Sequence, residues 1–168
     1  MPYGKLRELL PGFTVEPVTL ENLHRYEAIF YGNTDYYHIT DGRPATKQDC
    51  IETIEMTADF ADGRGHSIGF SLNGEAVAFM SCLEGYPDAE TAYIGLFLID
   101  ERYKRRHIGT QIVQAMLETA RASSFHAVRL SVQDNNISGC TFWHKLGFEA
   151  VSSCDGNGFC NLSMKKML

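Results

Sequence analysis

The sequence predicts an α/β fold, a sheet with antiparallel and parallel parts flanked by helices. Three observations predict it. Asn73-Gly74 joins two strand-like runs and is the strongest short signal for a tight hairpin. The apolar run at 91–99 passes through a basic turn into an amphipathic stretch, then into a second apolar run at 126–132. That is the order of a β-α-β crossover, whose two strands are parallel and joined right-handedly. Elsewhere the hydrophobic period switches between the repeat of strands and that of helices, giving the order β-α-α-β-β-β-α-β-α-β-β.

Each element has its own signal. Residues 13–18 read as a short strand, and Thr19 is placed to cap a helix over 20–31 that Gly32 stops. Residues 33–44, with Asp35, Tyr36 and Tyr37, read as a loop. Thr46 followed by Asp49 resembles a capping box, with Asp for the usual Glu or Gln, and opens a helix carrying Cys50, Ile51, Ile54, Met56 and Phe60. Strands at 67–72 and 75–83 flank the Asn-Gly turn, residues 84–90 form a polar loop, and a third strand spans 91–99. A helix runs to about Ser123, a strand covers 126–132, and a helix over 137–146 ends at Gly147. The tail reads as a hairpin of 148–152 and 159–164 around Asp155-Gly156-Asn157-Gly158. No internal repeat, low-complexity segment or linker divides the 168 residues, which predicts one domain over 1–168.

Composition narrows the function classes. Hydrophobic residues make up 44% and charged residues 21%, ordinary for a soluble globular chain. A net charge of -6 lacks the broad basic face that general nucleic-acid or membrane-surface binding needs, and it suits a cationic or neutral small substrate. The same charge also serves plain solubility. The five cysteines (Cys50, Cys82, Cys140, Cys154, Cys160) contain no Cys-x-x-Cys pair, and Cys82 and Cys140 lie in apolar patterns where a reduced thiol acts as a small hydrophobe. With a charged stretch at 1–11 and no run near the roughly 18 apolar residues of a membrane span, a cytoplasmic protein is expected.

The chemistry concentrates at Tyr103-Lys104-Arg105-Arg106-His107-Ile108-Gly109-Thr110. Strand, cationic turn and helix start, in that order, build a cradle for phosphate. The first N–H groups of a helix have no partners within it, and its dipole adds partial positive charge there. Gly109 lets backbone approach a bulky anion, and amides from Arg106 to Thr110 face it. Taken alone, Lys104, Arg105 and Arg106 also fit a solvated basic turn.

With the downstream residues included, the chain resembles the GNAT superfamily of N-acetyltransferases. The family's Arg/Gln-x-x-Gly-x-Gly/Ala motif falls on Lys104 to Gly109, and its Asn, small residue, aromatic and Gly-Phe series falls on Asn136, Gly139, Phe142, Trp143 and Gly147-Phe148. The resemblance runs from Phe13 to the C-terminus. It implies a GNAT-like mixed, mostly antiparallel sheet with a central parallel strand pair. It also implies acetyl-CoA as cosubstrate, a small-molecule or peptide amine as acceptor, direct attack in a ternary complex, and a homodimer. Backbone near Phe97, Leu98 and Ile99 is then expected to pair with the pantetheine arm. Lys104, Arg105, Arg106, His107, Ile108, Gly109, Thr110, Asn136 and Phe142 are expected around the rest of the cofactor.

Three positions depart from the family pattern. Lys104 replaces Arg or Gln, and His107 replaces the first Gly, a position of positive φ that His tolerates better than most residues. Trp143 stands where many members carry a Tyr acid, and an indole N–H is not usefully acidic. Trp143 therefore reads as a packing residue or a substitute at the catalytic position. For the base, Glu84 ends a strand, while Tyr93 falls where some members place a catalytic Glu. The alternative reading is a non-catalytic acyl-CoA-binding or regulatory module on the same fold. His24, His38, His66, His126 and His144 show no metal-ligand spacing, so no metal is expected. A nucleotide-phosphate enzyme is disfavoured, since Gly-x-x-x-x-Gly-Lys-Ser/Thr and Gly-x-Gly-x-x-Gly are both missing.

Overall fold

The structure is a computed structural model and describes residues 3–152 and 160–168. Its frame is a seven-stranded sheet in the order β1-β2-β3-β4-β5-β7-β6. The strands are β1 (Phe13–Pro17), β2 (Gly65–Leu72), β3 (Glu75–Glu84), β4 (Thr91–Ile99), β5 (Ala127–Gln133), β6 (Glu149–Ala150) and β7 (Asn161–Met167). Every neighbouring pair is antiparallel except β4–β5, the crossover pair. The Asn73-Gly74 turn takes φ of 50° and 83°, the double positive φ that a tight hairpin needs. Val151 donates to the Ser163 carbonyl, extending the β6–β7 pairing, while the turn expected at 155–158 lies outside the described residues.

Two apolar layers sandwich the sheet. On one face, α1 (Tyr3–Leu9), α5 (Ile108–Ala122) and α6 (Ile137–Lys145) pack on Ile68, Met80, Ile94, Val128, Leu130 and Met164. Helix α5 supplies Ile112, Val113 and Met116, each fully buried. Burial of such a side chain is worth roughly 1.5–3 kcal/mol relative to exposure. On the other face, α2 (Glu27–Gly32), α3 (Thr34–Asp41) and α4 (Lys47–Ala58) gather around Tyr26, Phe30, Phe79 and Leu98. This second layer ends at β4.

Three expectations for the N-terminal third need correction. Residues 3–9 form a helix because Leu6 is fully buried and the Arg7 Nε donates to the Val15 carbonyl at 2.9 Å. No helix runs through 20–31, since the Thr19 N–H is held by Asn22 Oδ1 at 2.8 Å and Asn22 Nδ2 donates to the Pro17 carbonyl. A short 3-10 turn over Leu23–Arg25 follows, and the helix begins only at Glu27. Residues 34–41 are helical rather than a loop. Asn33 makes that turn possible, its buried Nδ2 donating to the carbonyls of Ile29 at 2.7 Å and Ile99 at 2.9 Å. The capping box at Thr46 and Asp49 is present as expected. Cys50, Cys82 and Cys140 are free thiols, whereas Cys160 is disulfide-bonded, so the set is not uniformly reduced.

Candidate active site

The site starts from a split in the sheet. β4 and β5 pair only from Thr91–Ala127 to Ile94–Leu130. Beyond Ile94, β4 continues to Ile99 against β3 alone, and β5 continues to Gln133 against β7 alone. The two strands therefore enclose a V with one unpaired edge on each arm. The bend is placed at Gly95, an extra residue on β4 between the Cys82–Ile94 and Ser81–Leu96 pairs. A Cβ there would stand 2.8 Å from Ser81 Oγ, so a side chain at the bulge would have to displace that hydroxyl.

The ladder decides which amides face the V. Asp100 donates to the Val77 carbonyl at 2.9 Å, and hydrogen-bonding direction alternates along an antiparallel pair. Leu96 and Leu98 thus point their N–H groups at β3, and Phe97 and Ile99 point theirs into the opening. The Ile99 carbonyl on that edge is already taken by Asn33. Of the three backbone positions expected from the sequence, Phe97 and Ile99 line the V, and Leu98 is committed to the ladder with its side chain buried.

At the open end of the V lies the amino terminus of α5. The chain leaves β4 through Asp100 and a 3-10 turn over Glu101–Tyr103, and reaches the helix by two residues at φ 60°, Arg105 and His107. His107 is the N-cap, in the left-handed conformation, and its side chain makes no cap bond. Among the described residues the N–H groups of His107, Ile108, Gly109 and Thr110 consequently have no acceptor. Gly109 also has a packing role beside the one its motif suggests. A Cβ there would meet Ile99 Cδ1 at 2.5 Å and the Phe142 ring at 3.4 Å, so the missing side chain seats the helix against β4 and α6. The anion side is left open by that choice.

The basic residues are not equivalent. Lys104 pairs with Glu101, and Arg102 is held by Asp100 at 3.0 Å and Glu75 at 3.3 Å. Among the described residues Arg105 has no carboxylate partner, and Arg106 lies over the Tyr103 ring at 5.5 Å. Those two guanidinium groups keep their charge available at the helix terminus.

Helix α6 closes the cluster. Asn136 caps it by accepting from the Gly139 N–H at 2.9 Å, and a Cβ on Gly139 would meet Asn136 Nδ2 at 2.7 Å. The Asn-to-small spacing is thereby a cap requirement. Phe142 is brought to Phe97 (ring centroids 6.2 Å apart) and to Trp143 at 4.9 Å. Trp143 is 8% exposed and packs on Phe97 and Phe148, a core residue.

Glu84 and Tyr93 are not brought together. Glu84 pairs in register with Ala92, on the α5 face, and accepts from His66 Nε2 at 3.0 Å. Burial holds the His66 pKa down at about 4, so the neutral imidazole is the donor. Tyr93 lies between core residues Ala92 and Ile94 and therefore points to the opposite face, where its ring meets Tyr86 at 5.1 Å. Two positioning residues escaped the sequence reading. Gly95 had a signal, an isolated glycine inside a strand run. Asn33 had none, because its partners are tertiary. Among the described residues no cluster of His, Cys, Asp or Glu is arranged to hold a metal, and no helix is long and apolar enough to cross a membrane.

The chain belongs to the acetyltransferase (GNAT) family, whose model matches residues 27–148. The family uses acetyl-CoA. The fold is that of an acetyltransferase from Thermus thermophilus (TM-score 0.77, 23% identity, covering 93% of this chain and 97% of that one). It is also that of the PaiA N-acetyltransferase from Thermoplasma acidophilum in complex with coenzyme A (TM-score 0.68, 15% identity, 93% and 99% covered). A GNAT-family acetyltransferase from Streptococcus pneumoniae is similar as well (TM-score 0.66, 15% identity, 93% and 99% covered). No curated protein matches the chain in sequence.

Proposed function

We propose that this protein is an acetyl-CoA-dependent N-acetyltransferase that moves the acetyl group to a primary amine of a small molecule or peptide by direct attack in a ternary complex. One observation carries the reading: β4 and β5 part after Ile94–Leu130, and the uncapped start of α5 stands at the open end. A pantetheine arm laid along β4 meets the free N–H groups of Phe97 and Ile99 as an added strand would. The diphosphate then reaches the four free amides of His107, Ile108, Gly109 and Thr110, with Arg105 and Arg106 beside it. Lys104 contributes through Glu101, which fixes the turn. Asn136 acts by capping α6, so that Phe142 borders the V.

The transfer needs a neutral amine, a donor for the developing oxyanion and a thioester held within reach. The bulged β4 backbone at Gly95 to Phe97 supplies the donor and the position. Tyr93 borders the closed end of the V on the face opposite Glu84, which stays bonded to His66, and the proton of the attacking amine passes to a water in the V. Trp143 serves by packing, and the departing thiolate leaves without a side-chain acid because it is a stable anion. Calorimetry with acetyl-CoA and a thiol-release assay over a panel of primary amines test the reading. Binding with turnover is expected. Binding without turnover of any amine would favour a non-catalytic acyl-CoA module, and no binding at all would overturn both.

A further inference from the structure

Across the closed end of the V, register places four side chains in one row: Tyr93 on β4, Arg129 on β5, Lys165 on β7 and Glu149 on β6. Their neighbours Ile94, Leu130, Met164 and Phe148 belong to the core beneath α5, so by alternation all four point to the opposite face. The apolar layer of α2, α3 and α4 stops at β4, and among the described residues no helix covers this part of the sheet. Two of the four are cations. Among the described residues the buried Arg129 Nε has no hydrogen-bond acceptor and Arg129 makes no ion pair, while Lys165 stands opposite Glu149 in register without closing one. A buried guanidinium nitrogen with no acceptor is costly, and one is supplied by water, an ion, a ligand or a partner. Beside the cations runs an aromatic row, Tyr93 to Tyr86 at 5.1 Å and Tyr86 to Phe60 at 5.8 Å, with Tyr86 44% exposed.

We infer that Arg129, with Lys165, binds a carboxylate on the acceptor, so that the acceptor is an amino acid or a similar primary amine carrying a carboxylate a few bonds from its nitrogen. The inference rests on the acetyltransferase reading above. Its geometry follows from the strands. Arg129 is one residue before Leu130, the last β5 residue paired with β4, and Gly95 is one residue after Ile94, Leu130's partner. Strand spacing is about 4.8 Å. An amine at the Gly95 bulge thus lies within a short molecule's reach of the guanidinium. The α5 terminus stands at the other end of the V, which assigns Arg129 to the acceptor rather than to the diphosphate. A planar fork of donors suits a carboxylate, and Lys165 adds a second cation on the adjoining strand. The aromatic row offers a surface for the acceptor's apolar part.

The test uses matched pairs of acceptors, an amino acid and its carboxamide, with acetyl-CoA and the intact protein. The expected result is at least a tenfold higher kcat/KM for the carboxylate member. In Arg129→Gln that ratio collapses toward one, and in Lys165→Gln, a milder surface change, it falls partway. Melting temperatures establish that each variant folds. The same pairs are titrated calorimetrically into the coenzyme A-loaded protein, so selectivity is read whether or not transfer occurs. Carboxylate-selective binding lost in Arg129→Gln, even without turnover, supports the carboxylate site and counts against the transferase reading alone. Equal handling of the two members by the unmodified protein, or a ratio unchanged in both variants, would overturn the inference.

Discussion

At the residue scale, the left-handed turn into α5 separates what a side chain does from what its backbone does. His107 holds φ at 60° with no bond from its ring, so the position asks for a backbone shape. His107→Gly is expected to retain acetyl-CoA affinity and to gain up to about 1 kcal/mol of stability, because glycine adopts that conformation without strain. His107→Val is expected to lose stability, since a β-branched residue is an outlier there. Melting curves and calorimetry decide. A large fall in affinity for His107→Gly would show that the imidazole itself touches the ligand. Gly109→Glu is expected to weaken both fold and binding. Its Cβ runs into Ile99, at a cost of about 1–3 kcal/mol for overpacking, and its charge opposes the diphosphate. An unchanged melting temperature would contradict the packing part. The positive-φ need at 107 was legible because a family glycine stands there. The inward role of Gly109 was not, since it depends on where Phe142 arrives from 33 positions away.

At the element scale, elements with local signals were readable and elements fixed by distant partners were not. The Asn73-Gly74 hairpin, the β4-α5-β5 crossover and helix α4 all carry their determinants within a few residues. Helix α3 does not: Asn33 anchors it to Ile99, 66 positions away in sequence. Thr19 was read as a cap, but Asn22 holds its N–H and delays the helix. Helix α4 gives a direct check of a local signal. Asp49 accepts from the Thr46 N–H at 2.6 Å, while Arg43 grips the carboxylate at 2.7 and 2.8 Å. The Arg43 hydrogen bonds, then the Thr46 contacts, hold the Asp49 carboxyl well below the usual carboxylate range. Because the folded pKa is depressed, the stabilisation is complete above about pH 4, the value of a free Asp, and is lost as pH falls below it. Thr46→Ala is expected to cost about 1 kcal/mol at neutral pH. The gap in melting temperature between the unmodified protein and Asp49→Ala is expected to narrow as pH drops from about 6 to about 3. A constant gap would show that Asp49 contributes no charge-dependent stability.

At the scale of the whole molecule, one sheet is asked to be continuous for folding and divided for function. β3 holds one arm of the V and β7 the other, so the gap between β4 and β5 costs the fold only the pairing of their last residues. Trp143, Phe97, Phe142 and Phe148 fill the space behind that gap with packed rings. Amide hydrogen exchange reads this division residue by residue, since an N–H without an acceptor exchanges readily and one in a ladder does not. Without ligand, Leu96 and Leu98 are expected to be protected by β3, whereas Phe97, Ile99 and residues 107–110 exchange fast. Saturating coenzyme A is expected to slow the second group at least tenfold through direct contact, and to slow Leu96 and Leu98 only as far as unfolding of the whole protein becomes rarer. Because binding also stabilises the folded state as a whole, by about 2.7 kcal/mol at a ligand concentration a hundred times Kd, the comparison is made between neighbours in the same strand. Global stabilisation slows ladder amides through rarer unfolding, and only direct contact slows Phe97 and Ile99 ahead of Leu98. If the alternation vanished, with all of 96–99 slowed alike, the arm would not be pairing along β4. If 107–110 stayed fast while β4 slowed, the diphosphate would have to be held by side chains and not by the start of α5.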